Sequence, residues 1–486
     1  MIVSRRFVLG GGLSAAATGA GAEAPLTSIR PRARLPFRGA TAQIIAAAGL
    51  SGQVGCVLAD LATGESLARV AADLPLPPAS VAKAVTALYA MDALGAEHRF
   101  ETRVFADGPI ENGVLNGNLI LSGGGDPNLV TDQLAELVDR LAEKGLREVR
   151  GDFLVWDDAL ANLDEIDPTQ LDYLGYNPTI TGLNLNFNRV YFEWKKAGDS
   201  YSTGLDARSE KHQPPVTTAR MRIVDRESPV FTYRTQGNVD EWTVARRALG
   251  NGGSRWLPVR NPALYAGEVF ATFARTAGIV LKPAKVHGAE PAGQVLARYR
   301  SVPLDQMMRG MLRYSTNITA EAAGLAATQM LSGQQRGLRT SALGMARWAS
   351  DRAAIAPTFV DHSGLGDAAR VTASDMVQLL TAEGIAPQLR PLLKRIDLLD
   401  GNRKVIRNHP GLVQAKTGTL NFVSSLAGYV RTASGRDLAF AFFGADLEAR
   451  AAGKALGGEA PRGAAPWNRS AKALQQRLLQ YWIKAS

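Results

Sequence analysis

Residues 76–91 read LPPASVAKAVTALYAM and carry the clearest structural signal in this 486-residue chain. Two prolines give way to good helix formers that continue to Gly95, so the sequence predicts a helix that begins near Ser80. Apolar residues occupy nearly every side of this helix, which is typical of a buried helix rather than a surface one.

Lys83 is the exception in this apolar run. A buried lysine is costly unless it is paired or loses its proton, and burial lowers its pKa. Ser80 lies one turn earlier on the same helix face, so a serine hydroxyl beside a neutral amine forms the outline of an activated nucleophile. The alternative is that Ser80 only caps the helix while Lys83 extends to solvent, and this motif alone does not exclude it.

Composition narrows the function classes. The chain is 46% hydrophobic, ample for a large core, and its length predicts two or three domains. The formal net charge of +10 comes from dispersed basic residues rather than a Lys/Arg block, so specific nucleic-acid binding is not supported. The single cysteine, Cys56, cannot form an intrachain disulfide and lies in an apolar alternating stretch, which predicts a core residue.

The N-terminus is typical of an export signal. Residues 4–9 read SRRFVL, like a twin-arginine signal, and small residues suited to cleavage follow at 20–24. We therefore expect a signal peptide over residues 1–24 and a periplasmic mature protein; an uncleaved amphipathic tail is the alternative. No other stretch of 18 or more apolar residues occurs, which excludes a polytopic membrane protein.

The rest of the chain predicts one antiparallel sheet built from both chain ends. Two strand-like runs with a turn between them precede the Ser80 helix, and three more follow near the C-terminus, at 412–419, 421–431 and 437–444. Residues 100–295 between them have mostly β character. The closing helix, with Leu474, Leu478 and Trp482, is expected to pack on the sheet; the alternative is a membrane-surface anchor, so membrane association is peripheral at most.

Two further motifs offer polar groups for catalysis. Ser315 and Asn317 lie just before a predicted helix, where a hydroxyl can shuttle a proton and an amide can donate and accept. Lys416 and Gly418 share one face of a predicted strand, so another backbone or a ligand can approach over the glycine. A helix cap and an edge strand with a solvated lysine are the ordinary alternatives.

Taken together, SVAK at 80–83, STN at 315–317 and KTG at 416–418 resemble, in that order, the three motifs of the penicillin-recognising serine enzymes. The long insert contains LSGGGDP at 121–127 and NPTITGLNLN at 177–186. With these, the chain resembles the low-molecular-mass class C penicillin-binding proteins, the S13 family of D-alanyl-D-alanine carboxypeptidases/endopeptidases of the penicillin-binding protein 4 type.

The segment DHSGL at 361–365 also resembles this family. Two residues depart from its pattern: Thr316 stands where Asp or Asn is more frequent, and His362 where Gly is usual. We expect the first to tune activity rather than abolish it, and His362 is the one histidine in the chain to watch.

The resemblance implies an α+β fold with a DD-peptidase/β-lactamase-like domain, an antiparallel sheet flanked by helices, formed by residues 25–99 and 296–486. Residues 100–295 would form an inserted accessory part of two domains, mostly β. It implies cleavage of D-Ala-D-Ala stem peptides and cross-links of peptidoglycan through an acyl-enzyme, and sensitivity to β-lactam antibiotics. No metal or organic cofactor and no nucleic-acid partner are implied.

By the same resemblance, the catalytic residues are Ser80, Lys83, Ser315, Asn317 and Lys416, and the substrate-binding residues are Thr417, Gly418 and Thr419. The backbone N–H groups of Ser80 and Thr419 would form the oxyanion hole, and the two threonine hydroxyls with Lys416 would bind the terminal carboxylate. A β-lactamase is the second enzyme hypothesis, and a non-catalytic cell-wall-binding scaffold is the rival from another class.

Overall fold

The computed structural model describes residues 37–485, so the predicted signal peptide lies outside the described residues. Its α-helices are α1 Phe37–Ala46, α2 Ala82–Leu94, α3 Thr131–Glu143, α4 Pro262–Thr276, α5 Leu304–Tyr314, α6 Asn317–Ser332, α7 Leu338–Ala353, α8 Ala373–Thr381, α9 Ile385–Leu389, α10 Leu447–Ala455 and α11 Ala464–Lys484. None of the helices within this range is long and apolar enough to cross a membrane.

The strands that precede the insert's last helix are β1 Gln53–Asp60, β2 Ser66–Val70, β3 Glu101–Ala106, β4 Ile110–Glu111, β5 Val114–Leu115, β6 Leu119–Ser122, β7 Glu148–Val149, β8 Phe153–Trp156, β9 Arg189–Ala197, β10 Ser200–Asp206, β11 Ala219–Val224, β12 Phe231–Gln236, β13 Val239–Ala245 and β14 Gly252–Pro258. The later strands are β15 Ala284–Val286, β16 Gln294–Arg300, β17 Lys394–Arg395, β18 Leu412–Leu420, β19 Val423–Arg431 and β20 Asp437–Ala445.

A six-stranded sheet joins the two ends of the described chain in the order β17-β18-β19-β20-β1-β2. Every neighbouring pair is antiparallel, and β1 lies beside β20 with Val57 opposite Ala441. The predicted sheet of two early and three late strands is therefore confirmed, and only the two-residue β17 was not predicted. Since β1, β19 and β20 are buried along most of their length, this sheet is a central layer.

Helices cover both faces of the six-stranded sheet. On one face α2 packs among α5, α6, α7 and α9 in a large apolar cluster that includes Val85 and Leu88. On the other face α1 and α11 cover the strands, with Leu474, Leu478 and Trp482 buried, which confirms that the closing helix packs on the sheet. Cys56 is buried in this second cluster, and burial raises the pKa of its thiol to about 12, so it is a core residue as predicted.

The insert has its own core and four sheets. The largest is five-stranded, β15-β8-β6-β3-β16, with parallel pairs at β15–β8 and β6–β8 and antiparallel pairs elsewhere. Two three-stranded sheets, β10-β9-β14 and β11-β13-β12, form a second part. The last strand of the five-stranded sheet, β16, crosses the boundary predicted at residues 295/296, so the insert's sheet ends at Arg300 instead.

Other differences from the predicted elements are local. The sequence predicts a single strand at 114–121, but the structure has two strands there, β5 and β6, because a bend at 116–118 interrupts the extended chain. The sequence also predicts a helix at 132–144 and a strand at 152–156, and α3 and β8 lie within one residue of these bounds because their apolar patterns are strong.

Candidate active site

Ser80 lies in a short 3-10 helix, Ala79–Val81, that leads directly into the buried α2. The two preceding prolines restrict the chain before this turn, and Ala79 has a left-handed φ of 45°, which is uncommon for a residue with a side chain. Ser80 is half-buried and lines a cleft of about 540 Å³. The backbone thus presents this serine at the start of a rigid helix, as the sequence predicted.

Two glycines allow neighbouring segments to approach this turn. A Cβ on Gly418 in β18 would lie 2.7 Å from the Pro78 carbonyl oxygen and 3.0 Å from the Ser80 nitrogen. Gly364 has a left-handed φ of 74°, and a Cβ there would overlap the Ala79 carbonyl. The prediction that β18 brings another backbone close over Gly418 is confirmed: that backbone is the one that carries Ser80.

Lys83 is buried, and its ammonium group meets three acceptors. Its Nζ lies 3.0 Å from Ser80 Oγ, 2.7 Å from Asn317 Oδ1 and 2.8 Å from the Ser363 carbonyl oxygen. Burial lowers the pKa of Lys83 to about 8, although two nearby acids act in the opposite direction. Near neutral pH this amine can therefore lose a proton and then accept one from the Ser80 hydroxyl.

The two acids, Glu321 and Asp361, are fully buried, and the sequence analysis missed both roles. Glu321 accepts hydrogen bonds from the backbone N–H groups of His362 and Ser363, at 2.8 and 2.9 Å. Burial raises the pKa of Glu321 to about 8 and also raises that of Asp361. Glu321 follows Asn317 by one helical turn in an otherwise apolar run, which was the available signal for a buried functional group.

Ser315 and Asn317 occupy the junction of α5 and α6. Ser315 ends α5 in a left-handed conformation with φ of 62°, and Asn317 begins α6, so the junction presents both side chains to the cleft. The Asn317 amide oxygen accepts from Lys83, and its Nδ2 donates to the Tyr176 carbonyl at 2.8 Å. The second contact comes from the insert and was not predicted.

Lys416 extends from β18 under Ser315. Its Nζ donates to Ser315 Oγ at 3.0 Å and to the Thr417 carbonyl at 2.7 Å. Burial lowers the pKa of Lys416 well below its ordinary value, and the charges of Lys83 and Lys394 lower it further. The predicted alternative, an edge strand with a solvated lysine, is wrong because the side chain is buried and β18 lies between two other strands.

The two predicted threonines of β18 differ in whether they line the cleft. Thr419 is exposed and lines the cleft with Ser80, Ser315 and Asn317. Thr417 and Thr419 both line an adjoining cavity on the α11 side. The structure thus brings Thr419, but not Thr417, to the cleft, although residues two apart in a strand share one face. Other cleft residues come from the insert and from the region around α10: Thr169, Gln170, Leu174, Tyr176, Arg450, Lys454 and Glu459.

His362 lies behind the cleft rather than in it. Its ring is buried, stacks near Tyr89 with ring centres 6.2 Å apart, and places Nε2 2.7 Å from Ser341 Oγ. Burial lowers the pKa of His362 to about 3, so the ring stays neutral in ordinary buffers. Gly324 makes room for this ring, since a Cβ there would be 2.2 Å from it. The departure from the family pattern at His362 therefore fills core space.

The family described as "D-Ala-D-Ala carboxypeptidase 3 (S13) family" matches residues 38–460 of this chain. The D-alanyl-D-alanine carboxypeptidase of Actinomadura sp. (strain R39) is 29% identical over 422 residues, covering 79% of this chain and 76% of the relative. The D-alanyl-D-alanine carboxypeptidase DacB of Haemophilus influenzae is 26% identical over 397 residues, covering 75% and 79%.

The crystal structure of penicillin binding protein 4 (dacB) from Haemophilus influenzae has a similar fold. It superimposes with a TM-score of 0.69 at 21% identity, covering 90% of this chain and 99% of that one. This likeness concerns the fold, whereas the family match extends over most of the described residues and includes all three motifs of the cleft. The chain belongs to the D-Ala-D-Ala carboxypeptidase 3 (S13) family.

Proposed function

We propose that this chain removes the terminal D-alanine from peptidoglycan stem peptides, and cleaves D-Ala cross-links, through an acyl-enzyme on Ser80. The observation that carries the proposal is the 3.0 Å contact between Ser80 Oγ and the buried Lys83 Nζ, whose pKa is lowered to about 8. A serine next to a lysine that can be neutral is an activated nucleophile.

In the acylation step Lys83 takes the Ser80 proton while Oγ attacks the carbonyl of the penultimate D-alanine. The backbone N–H groups of Ser80 and Thr419 stabilise the resulting oxyanion, an effect of roughly 2.7–4 kcal/mol per donor in other enzymes. The leaving amine receives a proton from Ser315, and Lys416 returns a proton to Ser315 Oγ through their 3.0 Å contact. Water then hydrolyses the ester and releases the shortened peptide.

Substrate binding uses groups around the reacting carbonyl. Asn317 retains one N–H beyond its bond to Tyr176 and holds the substrate amide with it. Lys416 and the Thr419 hydroxyl bind the terminal carboxylate, and Gly418 keeps the strand close to Ser80. A β-lactam ring offers a similar carbonyl and carboxylate, so these antibiotics acylate the same serine. The Haemophilus influenzae relative has been solved in complex with a β-lactam.

We also propose a division of the chain and a location. The catalytic part comprises residues 25–99 with the chain that follows β16, and the insert comprises the region between them. The twin-arginine-like N-terminus and a peptidoglycan substrate both favour export to the periplasm, with residues 1–24 as the cleaved signal. N-terminal sequencing of the exported protein checks this, because an intact Met1 would contradict it.

Intact-mass analysis after incubation with penicillin tests the proposed chemistry. The expected result is a one-to-one adduct on the wild type and none on Ser80→Ala. A slow decay of the adduct identifies a peptidase, whereas a fast decay identifies a β-lactamase. No adduct on either protein would contradict the mechanism and leave a non-catalytic wall-binding protein as the better hypothesis.

A further inference from the structure

A segment of the insert forms one wall of the cleft. We call residues 163–177 the rim segment; its start is tied to the following chain by a bridge between Leu163 and Ile180. Apolar side chains bind this region to α6, the helix that begins with Asn317, in a cluster with Ile166 and Ile180 on one side and Ile318 and Leu325 on the other. The rim segment is therefore packed against the catalytic part as well as against the insert.

The Tyr176 carbonyl in the rim segment determines how the Asn317 amide is oriented. A carbonyl oxygen only accepts hydrogen bonds, so the 2.8 Å contact requires Nδ2 of Asn317 on the Tyr176 side. The amide oxygen must then face Lys83, where it accepts from Nζ at 2.7 Å. With the amide reversed, two donors would face each other at Lys83 and two acceptors at Tyr176, and both contacts would be lost.

Arg260 holds the rim segment in place. Its guanidinium donates to three backbone carbonyls of this segment, those of Asp164 at 2.8 Å, Asn177 at 3.1 Å and Asp172 at 3.1 Å. The Asn177 carbonyl is next along the chain from that of Tyr176. The planar fork of five N–H groups suits arginine to such a set, which a lysine cannot reproduce.

The insert in turn anchors Arg260. The backbone N–H of Arg260 donates to the carboxylate of the buried Asp240 at 2.8 Å. The side chain of the next residue, Asn261, donates to the same carboxylate at 2.7 Å. The first bond uses the backbone of residue 260 and the second the side chain of residue 261, so both survive truncation of the Arg260 side chain. The bonds to Asp164 and Asp172 are exposed and the bond to Asn177 is partly buried, so water can solvate these carbonyls once the guanidinium is removed.

We propose that Arg260 is a positioning residue for acylation: it holds the rim segment so that the Tyr176 carbonyl orients Asn317 toward Lys83. The inference rests on the proposed function, because it assigns the insert a role in the same reaction. It explains why a residue outside the three motifs is connected to the nucleophile through Tyr176, Asn317 and Lys83.

A double-mutant cycle tests the route through Asn317. The second-order rate of acylation by a fluorescent penicillin is measured for the wild type, Arg260→Ala, Asn317→Ala and the double variant, with melting temperatures for all four. Arg260→Ala is expected to slow acylation about tenfold in the wild-type background and less than about twofold in the Asn317→Ala background, because coupled residues are not additive.

Arg246→Ala is the matched control, since this arginine of the insert also bonds a backbone carbonyl and a carboxylate, those of Asp199 and Asp225. It should leave both backgrounds unchanged. An unchanged rate in Arg260→Ala, or an equal loss in both backgrounds, would overturn the inference. If Arg260→Ala does not fold, Arg260→Lys gives the same comparison. Absence of acylation in the wild type would instead refute the proposed function itself.

Discussion

The two buried lysines of the cleft lie in opposite electrostatic surroundings. Around Lys83 the protein places two buried acids, Glu321 and Asp361, whose charges raise its pKa against the effect of burial. Around Lys416 the nearby charges are those of Lys83 and Lys394, and they lower its pKa in the same direction as burial. The charges around Lys83 thus oppose the effect of burial on its pKa, whereas the charges around Lys416 add to that effect.

This difference separates two tasks. In the proposed mechanism Lys83 needs a pKa near the working pH in the free enzyme, because it takes a proton from Ser80 as Oγ attacks. Lys416 lacks a carboxylate partner among its contacts, which are Ser315 and a backbone carbonyl. In that mechanism an anionic substrate supplies the missing charge, so binding of its terminal carboxylate favours the protonated form of Lys416 when a proton donor is required.

The largest expected effect is a loss of acylation rate when Lys83 is replaced. Lys83→Met keeps a long side chain but removes the proton acceptor, so the acylation rate with penicillin should fall by about 10²- to 10⁴-fold. Stopped-flow measurement of the adduct checks this. Lys144→Met, which removes a lysine of the insert bonded to the Leu296 carbonyl, is the control and should react normally. Normal acylation of Lys83→Met would mean that another group is the base.

The next largest effect concerns Lys416, whose neighbouring charges lower its pKa. Lys416→Met should reduce the preference for a D-Ala-D-Ala peptide over its C-terminal amide, because a charge-assisted hydrogen bond of about 1.5–3 kcal/mol is lost, equivalent to roughly 10- to 150-fold. The measurement is kcat/KM for both substrates. The ratio of the two kcat/KM values reports carboxylate binding alone, because loss of proton transfer through Lys416 slows the reactions of both substrates alike. An unaltered ratio would place the carboxylate elsewhere.

The smallest expected effect is a shift in the pH dependence of acylation when Glu321 is replaced. The Glu321 carboxylate raises the pKa of Lys83, so Glu321→Gln should lower it from about 8. The neutral amine then exists at lower pH, and the acidic limb of the acylation profile should move to lower pH. Asp361 and Lys416 also face Lys83, and both remain in the variant. The pH profile of the acylation rate gives the limb directly.

Glu268→Gln is the control for this shift, because Glu268 on α4 also accepts backbone N–H groups, those of Thr217 and Thr218, away from the cleft. It should leave the limb in place. A limb that stays fixed or moves to higher pH in Glu321→Gln would show that Glu321 does not set the basicity of Lys83.

Much of this arrangement could be predicted from short-range patterns. Ser80 and Lys83 lie one turn apart, so their 3.0 Å contact follows from helix geometry once the helix is recognised. The sheet followed from alternating runs near both chain ends. The threonines of β18 show the limit: strand periodicity puts Thr417 and Thr419 on one face, but only the tertiary packing decided that Thr419 alone also lines the cleft.

By itself, the sequence determined the candidate nucleophile, the order of the three motifs, the family and the central sheet, because these depend on local periodicity and on residue types at fixed spacing. Only the tertiary structure decided which groups surround Lys83. Its contact with the Ser363 carbonyl joins residues 280 positions apart, and the bond from Asn317 to Tyr176 spans 141 positions. Such contacts depend on how whole elements pack, and no local pattern encodes them.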